Sequence, residues 1–122
     1  MRILVAEDDQ VTSKAECAIL RGLGHQPIPA FDAMQAFMIA IRTPQPDVIV
    51  LDLNMPGGTG MGALEKLKSS SKTAHIPVIV VSGVSAPTIK RAAMDAGAAA
   101  FLNKPASVDE LKAALDALQS TG

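Results

Sequence analysis

Side chains that could hold a metal ion or a phosphoryl group follow four of the short apolar segments of this sequence. They are Glu7 and Asp8 after the first segment, Asp52 at the end of the third, Ser82 after the fourth and Lys104 after the fifth. A carboxylate at the end of a strand buried on both faces is not explained by packing. It either caps the next helix or does chemistry at the rim of a sheet.

The combination of these side chains favours phosphoryl transfer. Three carboxylates that lie close together repel one another, and a bound divalent cation usually offsets this repulsion. Oxygen ligands without a nearby histidine or second cysteine favour Mg²⁺. A lysine ammonium and a serine hydroxyl are suited to holding a tetrahedral anion. The pattern is typical of a site in which a carboxylate accepts a phosphoryl group.

Each of these residues taken alone has an ordinary structural explanation. Asp8 and Asp52 are as compatible with helix capping as with metal binding, and the adjacent Asp9 favours a helix N-cap. Ser82 alone is a strand-end hydroxyl, and Lys104 alone is a solvated side chain. The argument for chemistry is therefore the convergence of all of them at one edge of the predicted sheet.

The elements that would position these residues are five strands alternating with five helices. Such alternation predicts a doubly wound α/β fold with a parallel sheet, because parallel strands need crossover connections. Pro27 and Pro29 flank the second strand and cannot donate to a ladder, so this strand belongs at a sheet edge. We therefore predict the flavodoxin-like order 2-1-3-4-5, in which ligands bind beyond the carboxyl ends of the strands. The predicted strands are residues 3–6, 27–29, 48–51, 77–81 and 98–102.

The sequence also predicts where several helices begin or end and which side of the first helix is apolar. Asp32 is expected to cap the second helix, and Ser107 with Glu110 forms a capping box before the last one. Gly97 is expected at the C′ position of the fourth helix. The glycine-rich stretch 57–60 predicts a turn and not a phosphate-binding loop. The first helix is expected to turn an apolar face to the sheet through Val11, Ala15, Ala18 and Ile19.

Composition limits the class of protein. The 122 residues are enough for a single domain spanning 1–122. Eleven basic and twelve acidic residues argue against binding to nucleic acid, and no apolar run approaches the roughly 18 residues of a membrane span. One cysteine, Cys17, excludes an intrachain disulfide and fits a cytoplasmic location.

Four motifs together resemble the receiver domain of two-component response regulators, including the chemotaxis regulators. They are Ile3–Asp9, Leu51–Pro56, Val81-Ser82-Gly83 and Lys104-Pro105, and the match spans essentially the whole chain. The resemblance implies that Asp52 accepts a phosphoryl group from a phosphohistidine. The donor would be a sensor histidine kinase or a histidine phosphotransfer protein.

The resemblance also implies a Mg²⁺ site. Asp8 and Asp52 would bind the ion together with the backbone carbonyl of Asn54, and Glu7 would act mainly through bound water. Around the phosphoryl group, Ser82 would donate a hydrogen bond and Lys104 would pair with its charge.

A switch is implied as well. Phosphorylation would draw Ser82 inward, Phe101 would fill the space left behind, and the face formed by the fourth helix, the fifth strand and the fifth helix would change its shape. The alternative for Phe101 is an ordinary core aromatic. The partner of this face would be a downstream protein or a fused output domain, and the resemblance allows a phosphorylation-dependent homodimer. Departures from the family pattern at Thr59, Val84 and Ala106 leave the phosphoryl lifetime and partner choice open.

Two other functions compete with this interpretation. One is a receiver-like interaction module that is not phosphorylated. The other is a small aspartate-nucleophile phosphatase of the haloacid-dehalogenase type, which would normally place an Asp-x-Asp motif on its first strand. We expect no enzyme activity beyond self-phosphorylation and autodephosphorylation at Asp52. The sequence is compatible with a stand-alone receiver and with the N-terminal part of a larger regulator.

Overall fold

The computed structural model describes residues 1–54, 60–83 and 86–120. Within these ranges no helix is both long and apolar enough to cross a membrane. The predicted turn at 57–60, apart from Gly60, and the departures at Thr59 and Val84 lie outside the described residues. Strands and helices alternate as predicted: β1 Arg2–Ala6, α1 Gln10–Gly22, β2 Gln26–Ala30, α2 Ala33–Ile41, β3 Val48–Asp52, α3 Gly60–Ser69, β4 Val78–Ser82, α4 Pro87–Asp95, β5 Ala100–Asn103 and α5 Val108–Ser120.

The strands form one parallel sheet in the order β2-β1-β3-β4-β5, which confirms the predicted doubly wound topology. β2 lies at an edge, as its two prolines required. Pro27 pairs with Ile3 and Pro29 with Val5, so the positions that lack an amide hydrogen lie in an edge strand, which needs only a single neighbour.

Two apolar layers cover the faces of the sheet. On one face, β-strand residues such as Leu4 and Leu51 pack against α2, α3 and α4. On the other face, residues such as Val5 and Val50 pack against α1 and α5. β3 and β4 are buried along their whole length, because helices cover both of their faces.

The predicted inner face of α1 is wrong. Val11 is 77 % exposed, and Ala15 and Ala18 are exposed as well. The helix instead buries a stripe composed of Ser13, Glu16, Cys17 and Leu20. Half of that stripe is polar, so hydrophobicity alone placed the face on the wrong side of the helix.

The predicted helix ends are confirmed. The side chain of Asp9 accepts from the Thr12 amide at the start of α1, and Asp32 accepts from the Gln35 amide at the start of α2. The Ser107 and Glu110 side chains each accept the other's backbone N–H, which is a complete capping box.

The fifth strand begins two residues later than predicted. Gly97 has a φ of 106°, and the Ala98 amide donates to the Ala93 carbonyl 3.1 Å away. Residues 97 and 98 therefore still close α4 in a Schellman-type turn. Ala98 and Ala99 are apolar like the strand residues that follow them, so composition does not mark where the strand begins.

Candidate functional site

The ends of β1 and β3 bring three carboxylates together. These strands are neighbours, with Ala6 opposite Leu51, so Glu7 and Asp52 leave the sheet side by side. Glu7 is 1 % exposed and Asp52 is 3 % exposed, whereas Asp8 is half-buried. One oxygen from each of the three lies within 4.8 Å of the others.

Backbone groups hold two of these carboxylates in place. The Glu7 amide donates to the Ala30 carbonyl at 3.0 Å, and Oε2 of Glu7 accepts from the Asp9 amide at 3.2 Å. Oδ1 of Asp52 accepts from the Asn54 amide at 3.1 Å. The carboxylates are thus oriented by the turns that end their own strands.

Lys104 joins this group from the end of β5. Its Nζ lies 2.5 Å from Oε1 of Glu7 and 3.2 Å from Oδ1 of Asp52. Its amide donates to the Ser82 carbonyl at 2.9 Å, which ties the turn after β5 to the end of β4. The bond between Lys104 and Pro105 is cis.

The charges of the site are not balanced. Burial raises the pKa of Glu7 to about 7, and the neighbouring Asp52 adds to the rise, although contacts with Lys104 and the Asp9 amide oppose it. Burial alone would lower the pKa of Lys104, but its contacts with Glu7 and Asp52 outweigh burial and raise it. One ammonium therefore faces three carboxylates, and the site favours a further positive charge.

The donor set fits a hard divalent cation. Glu7, Asp8 and Asp52 supply only oxygen atoms. Oε1 of Glu7 is buried and has no well-directed hydrogen bond from a described residue, although the Lys104 ammonium is close. The carbonyl of Asn54 follows directly after this cluster, and its participation stays a prediction.

The remaining predicted residues surround this cluster. Ser82 ends β4, beside β3, and is 1 % exposed. Phe101 lies opposite Val80 in the register of β5, where it is partly buried against the core. These positions agree with the predicted convergence at the carboxyl edge of the sheet.

The sequence interpretation missed one acidic residue beside this site. Glu16 is 7 % exposed, and it lines a groove of about 430 Å³ whose wall also includes Val81 and Lys104. Burial raises the pKa of Glu16 to about 7, and the charge of Glu7 adds to the effect. Glu16 is three residues after Ser13 and four before Leu20, on the buried stripe of α1, and only the packing of that helix shows that it lies inside.

Comparison with known proteins agrees with this fold and site. Residues 3–116 match the family model described as the response regulator receiver domain. The chain therefore belongs to the receiver domain family of response regulators.

Individual relatives fit this assignment. The chain is 34 % identical over 97 % of its length to a gliding motility regulatory protein of Myxococcus xanthus, covering 15 % of that protein. It is 34 % identical over 96 % of its length to the phosphate regulon transcriptional regulatory protein PhoB of Escherichia coli, covering 51 % of it. The chain thus spans about half or less of the length of these curated relatives. The receiver domain of the Francisella response regulator 1452 superposes with a TM-score of 0.86 at 30 % identity, covering 99 % of this chain and 98 % of that one.

Proposed function

We propose that this receiver domain is a phosphoacceptor, in which Asp52 takes a phosphoryl group from a phosphohistidine in a Mg²⁺-dependent reaction. The observation that carries the proposal is the grouping of Asp52 with Glu7, Asp8 and Lys104 at the ends of β1, β3 and β5. Carboxylates that only cap separate helices would not need to lie together. A structural ion pair would not need three carboxylates for one ammonium.

The proposed chemistry is an in-line displacement at phosphorus. A carboxylate oxygen of Asp52 forms the new P–O bond while the P–N bond to the donor imidazole breaks, and the imidazole nitrogen leaves with the electron pair. Lys104, already 3.2 Å from Asp52, offsets the negative charge of the incoming phosphoryl oxygens. Ser82, buried at the end of the adjacent strand, donates its hydroxyl to one of them.

Glu7, Asp8 and Asp52, together with the Asn54 carbonyl, would hold the Mg²⁺ ion. When bound, the ion would supply positive charge to the transferring phosphoryl group. Without it, the excess of carboxylates would repel a phosphoryl donor, which explains why acceptance should need a cation.

The output would be a change of the α4-β5-α5 face. The N-cap residue of α4 is Ala86, which offers no side-chain cap, and within the helix only Ala93 is fully buried. A helix without a cap and with little burial is expected to shift at low cost. Ser82 and Phe101, on adjacent strands, would link the phosphoryl group to this face.

Acetyl phosphate with Mg²⁺ tests the proposal directly. Intact mass spectrometry should show a gain of about 80 Da, one phosphoryl group, that needs Mg²⁺ and is absent in Asp52→Asn. Asp9→Asn is the matched control, because Asp9 is an exposed cap next to the site and asparagine can still cap α1.

The same experiment separates the competing functions. Rapid turnover of many acetyl phosphate molecules per chain would indicate the phosphatase. A chain that binds Mg²⁺ but never gains the adduct would be an unphosphorylated interaction module, and the proposal would then be wrong.

A further inference from the structure

The surface helix α2 lacks a polar face. Of the nine residues of Ala33–Ile41, only Gln35 is polar. The inner side is fully buried through Ala36 and Ala40, yet Met34 is 77 % exposed and Met38 is 48 % exposed on the outer side. A helix that is apolar all round is normally covered all round. The outer side of α2 is therefore an interface without its partner.

The outer side is also concave. A shallow depression of about 420 Å³ runs along the helix beside the two exposed methionines. We call its lining the α2 outer face: Asp32, Met34, Gln35, Met38, Ile39 and Arg42. Methionine side chains are flexible, so Met34 and Met38 of one molecule are suited to fill a depression of this size on another molecule.

The two charges of the α2 outer face lie at its opposite ends. Asp32 is the N-cap of α2 and Arg42 is its C-cap. The Arg42 side chain makes no hydrogen bond or ion pair with the described residues, and its guanidinium is exposed. The face thus has an acidic end, an apolar centre and a basic end.

This arrangement is complementary to itself. In a second copy related by a two-fold axis and lying antiparallel, the acidic end of each helix meets the basic end of the other. Each Asp32 would then approach the partner copy's Arg42, and the methionines of each helix would enter the other's depression. The opposed helix dipoles favour the same direction, whereas a parallel pair would bring like charges together.

We propose that the α2 outer face forms a weak two-fold dimer of this chain that does not depend on phosphorylation. The proposal goes beyond the phosphoacceptor function and does not rest on it. Nine residues of helix are about 13 Å long, so the contact area is well below the roughly 800 Å² per partner of a stable interface. We expect the weak affinity of a transient contact, with a dissociation constant on the order of 10⁻⁴ M.

Sedimentation equilibrium up to a concentration of about 1 mM tests the dimer, a range chosen to exceed the expected dissociation constant. The weight-average mass should rise with concentration, equally in the natural chain and in Asp52→Asn. Met34→Gln with Met38→Gln should weaken association at least about tenfold, since it removes the apolar knobs. Val11→Gln is the matched control: it makes the same kind of exposed change on α1 and should leave association unaltered.

Exchange of the end charges tests the antiparallel geometry. Arg42→Asp and Asp32→Arg should each weaken self-association at least about tenfold, because like charges meet at both ends. An equal mixture of these two variants should form heterodimers, in which both ends are again complementary. Asp32→Asn, which keeps a capping side chain, should weaken self-association less than Asp32→Arg. Circular dichroism checks that each variant is folded.

Three results would overturn the proposal. A natural chain with monomer mass at every concentration would leave another polypeptide as the occupant of this face. Self-association unchanged by the double methionine variant would place the dimer elsewhere. Absence of heterodimers in the mixture of folded charge variants would exclude the antiparallel pairing.

Discussion

The ammonium of Lys104 lies 3.2 Å from Oδ1 of Asp52, so the proposed acceptor is partly neutralised before any phosphoryl group arrives. This contact joins the end of β5 to the end of β3 across the intervening β4. The same ammonium also contacts Glu7. Lys104 therefore stabilises the carboxylates of the unphosphorylated site, in addition to the catalytic role proposed for it.

Loss of the Lys104 charge should destabilise the protein. Lys104→Met keeps the apolar stem but leaves three carboxylates without a counter-ion. In metal-free buffer at about pH 8, we expect the free energy of unfolding to fall by about 1–3 kcal/mol, less than for a fully buried pair because the ammonium is 24 % exposed. Urea denaturation measures the change, and added Mg²⁺ should recover most of it.

A surface ion pair provides the control for this variant. Lys112 and Asp116 are 2.8 Å apart on α5, and both are more than half exposed. Lys112→Met should leave the urea midpoint where it is. Equal stability of Lys104→Met and the natural chain would show that the site is not under electrostatic strain.

Mg²⁺ binding should weaken as the pH falls through 7. Without metal, the pKa of Glu7 is raised to about 7, so below that pH its carboxyl carries a proton that the cation must displace. We expect the affinity to fall up to about tenfold per pH unit below 7 and to level off above it. Isothermal titration calorimetry at several pH values measures this.

Two variants separate the ligands in that titration. Glu7→Gln cannot lose a proton, so its Mg²⁺ affinity should change much less between about pH 6 and pH 8. Asp8→Ala should abolish Mg²⁺ binding and leave the fold intact, because it removes one of three mutually repelling carboxylates. Normal Mg²⁺ binding by Asp8→Ala would remove Asp8 from the metal site.

The parts of the fold that follow local rules were predictable from the sequence. Proline in β2 predicted a sheet edge, and side-chain caps such as Asp32 predicted helix starts. Because parallel strands end at one edge, the meeting of Glu7, Asp52 and Lys104 also followed from strand order alone.

The missed features depend on tertiary packing. The buried stripe of α1 carries Ser13 and Glu16, which no hydrophobicity pattern would place inside. Ala98 looks like a strand residue, but its amide completes the end of α4.

Glu16 should make the protein less stable as the pH rises. Its pKa in the folded protein is about 7, against 4.5 for an exposed glutamate, so between these values the folded state holds the proton more tightly. The contribution of Glu16 to stability is then highest below about pH 4.5, falls as the pH rises to about 7 and is constant above it. At about 1.4 kcal/mol per pKa unit, the loss amounts to at most ~3.5 kcal/mol.

Glu16→Gln should remove the part of the pH dependence that comes from Glu16, whereas the part that comes from the raised pKa of Glu7 stays. In metal-free buffer the variant should be more stable than the natural chain at about pH 8 and similar to it at about pH 5. Thermal unfolding at a series of pH values provides the comparison. A natural chain and variant that differ equally at every pH would assign the effect to packing of the side chain and not to its charge.

Gly60 is required by the close approach of α3 to the end of β3. Its amide donates to the Leu53 carbonyl at 2.8 Å. A Cβ at this position would lie 2.2 Å from Cα of Leu53 and 2.5 Å from the Asp52 carbonyl oxygen, and both are backbone atoms that cannot move aside alone. Gly60→Ala should therefore push α3 away from the strand that carries the proposed acceptor.

We expect Gly60→Ala to lower the free energy of unfolding by about 1–3 kcal/mol or more, the usual cost of overpacking. Phosphorylation by acetyl phosphate should slow as well, because Asp52 shifts with its carbonyl. Gly22→Ala is the control: a Cβ there meets no atom within 4 Å, and alanine in a helix should be neutral or stabilising by up to about 1 kcal/mol. If Gly60→Ala and Gly22→Ala unfold at the same urea concentration, a Cβ at position 60 is accommodated without cost. The position of Asp52 then does not depend on a close approach of α3 to β3.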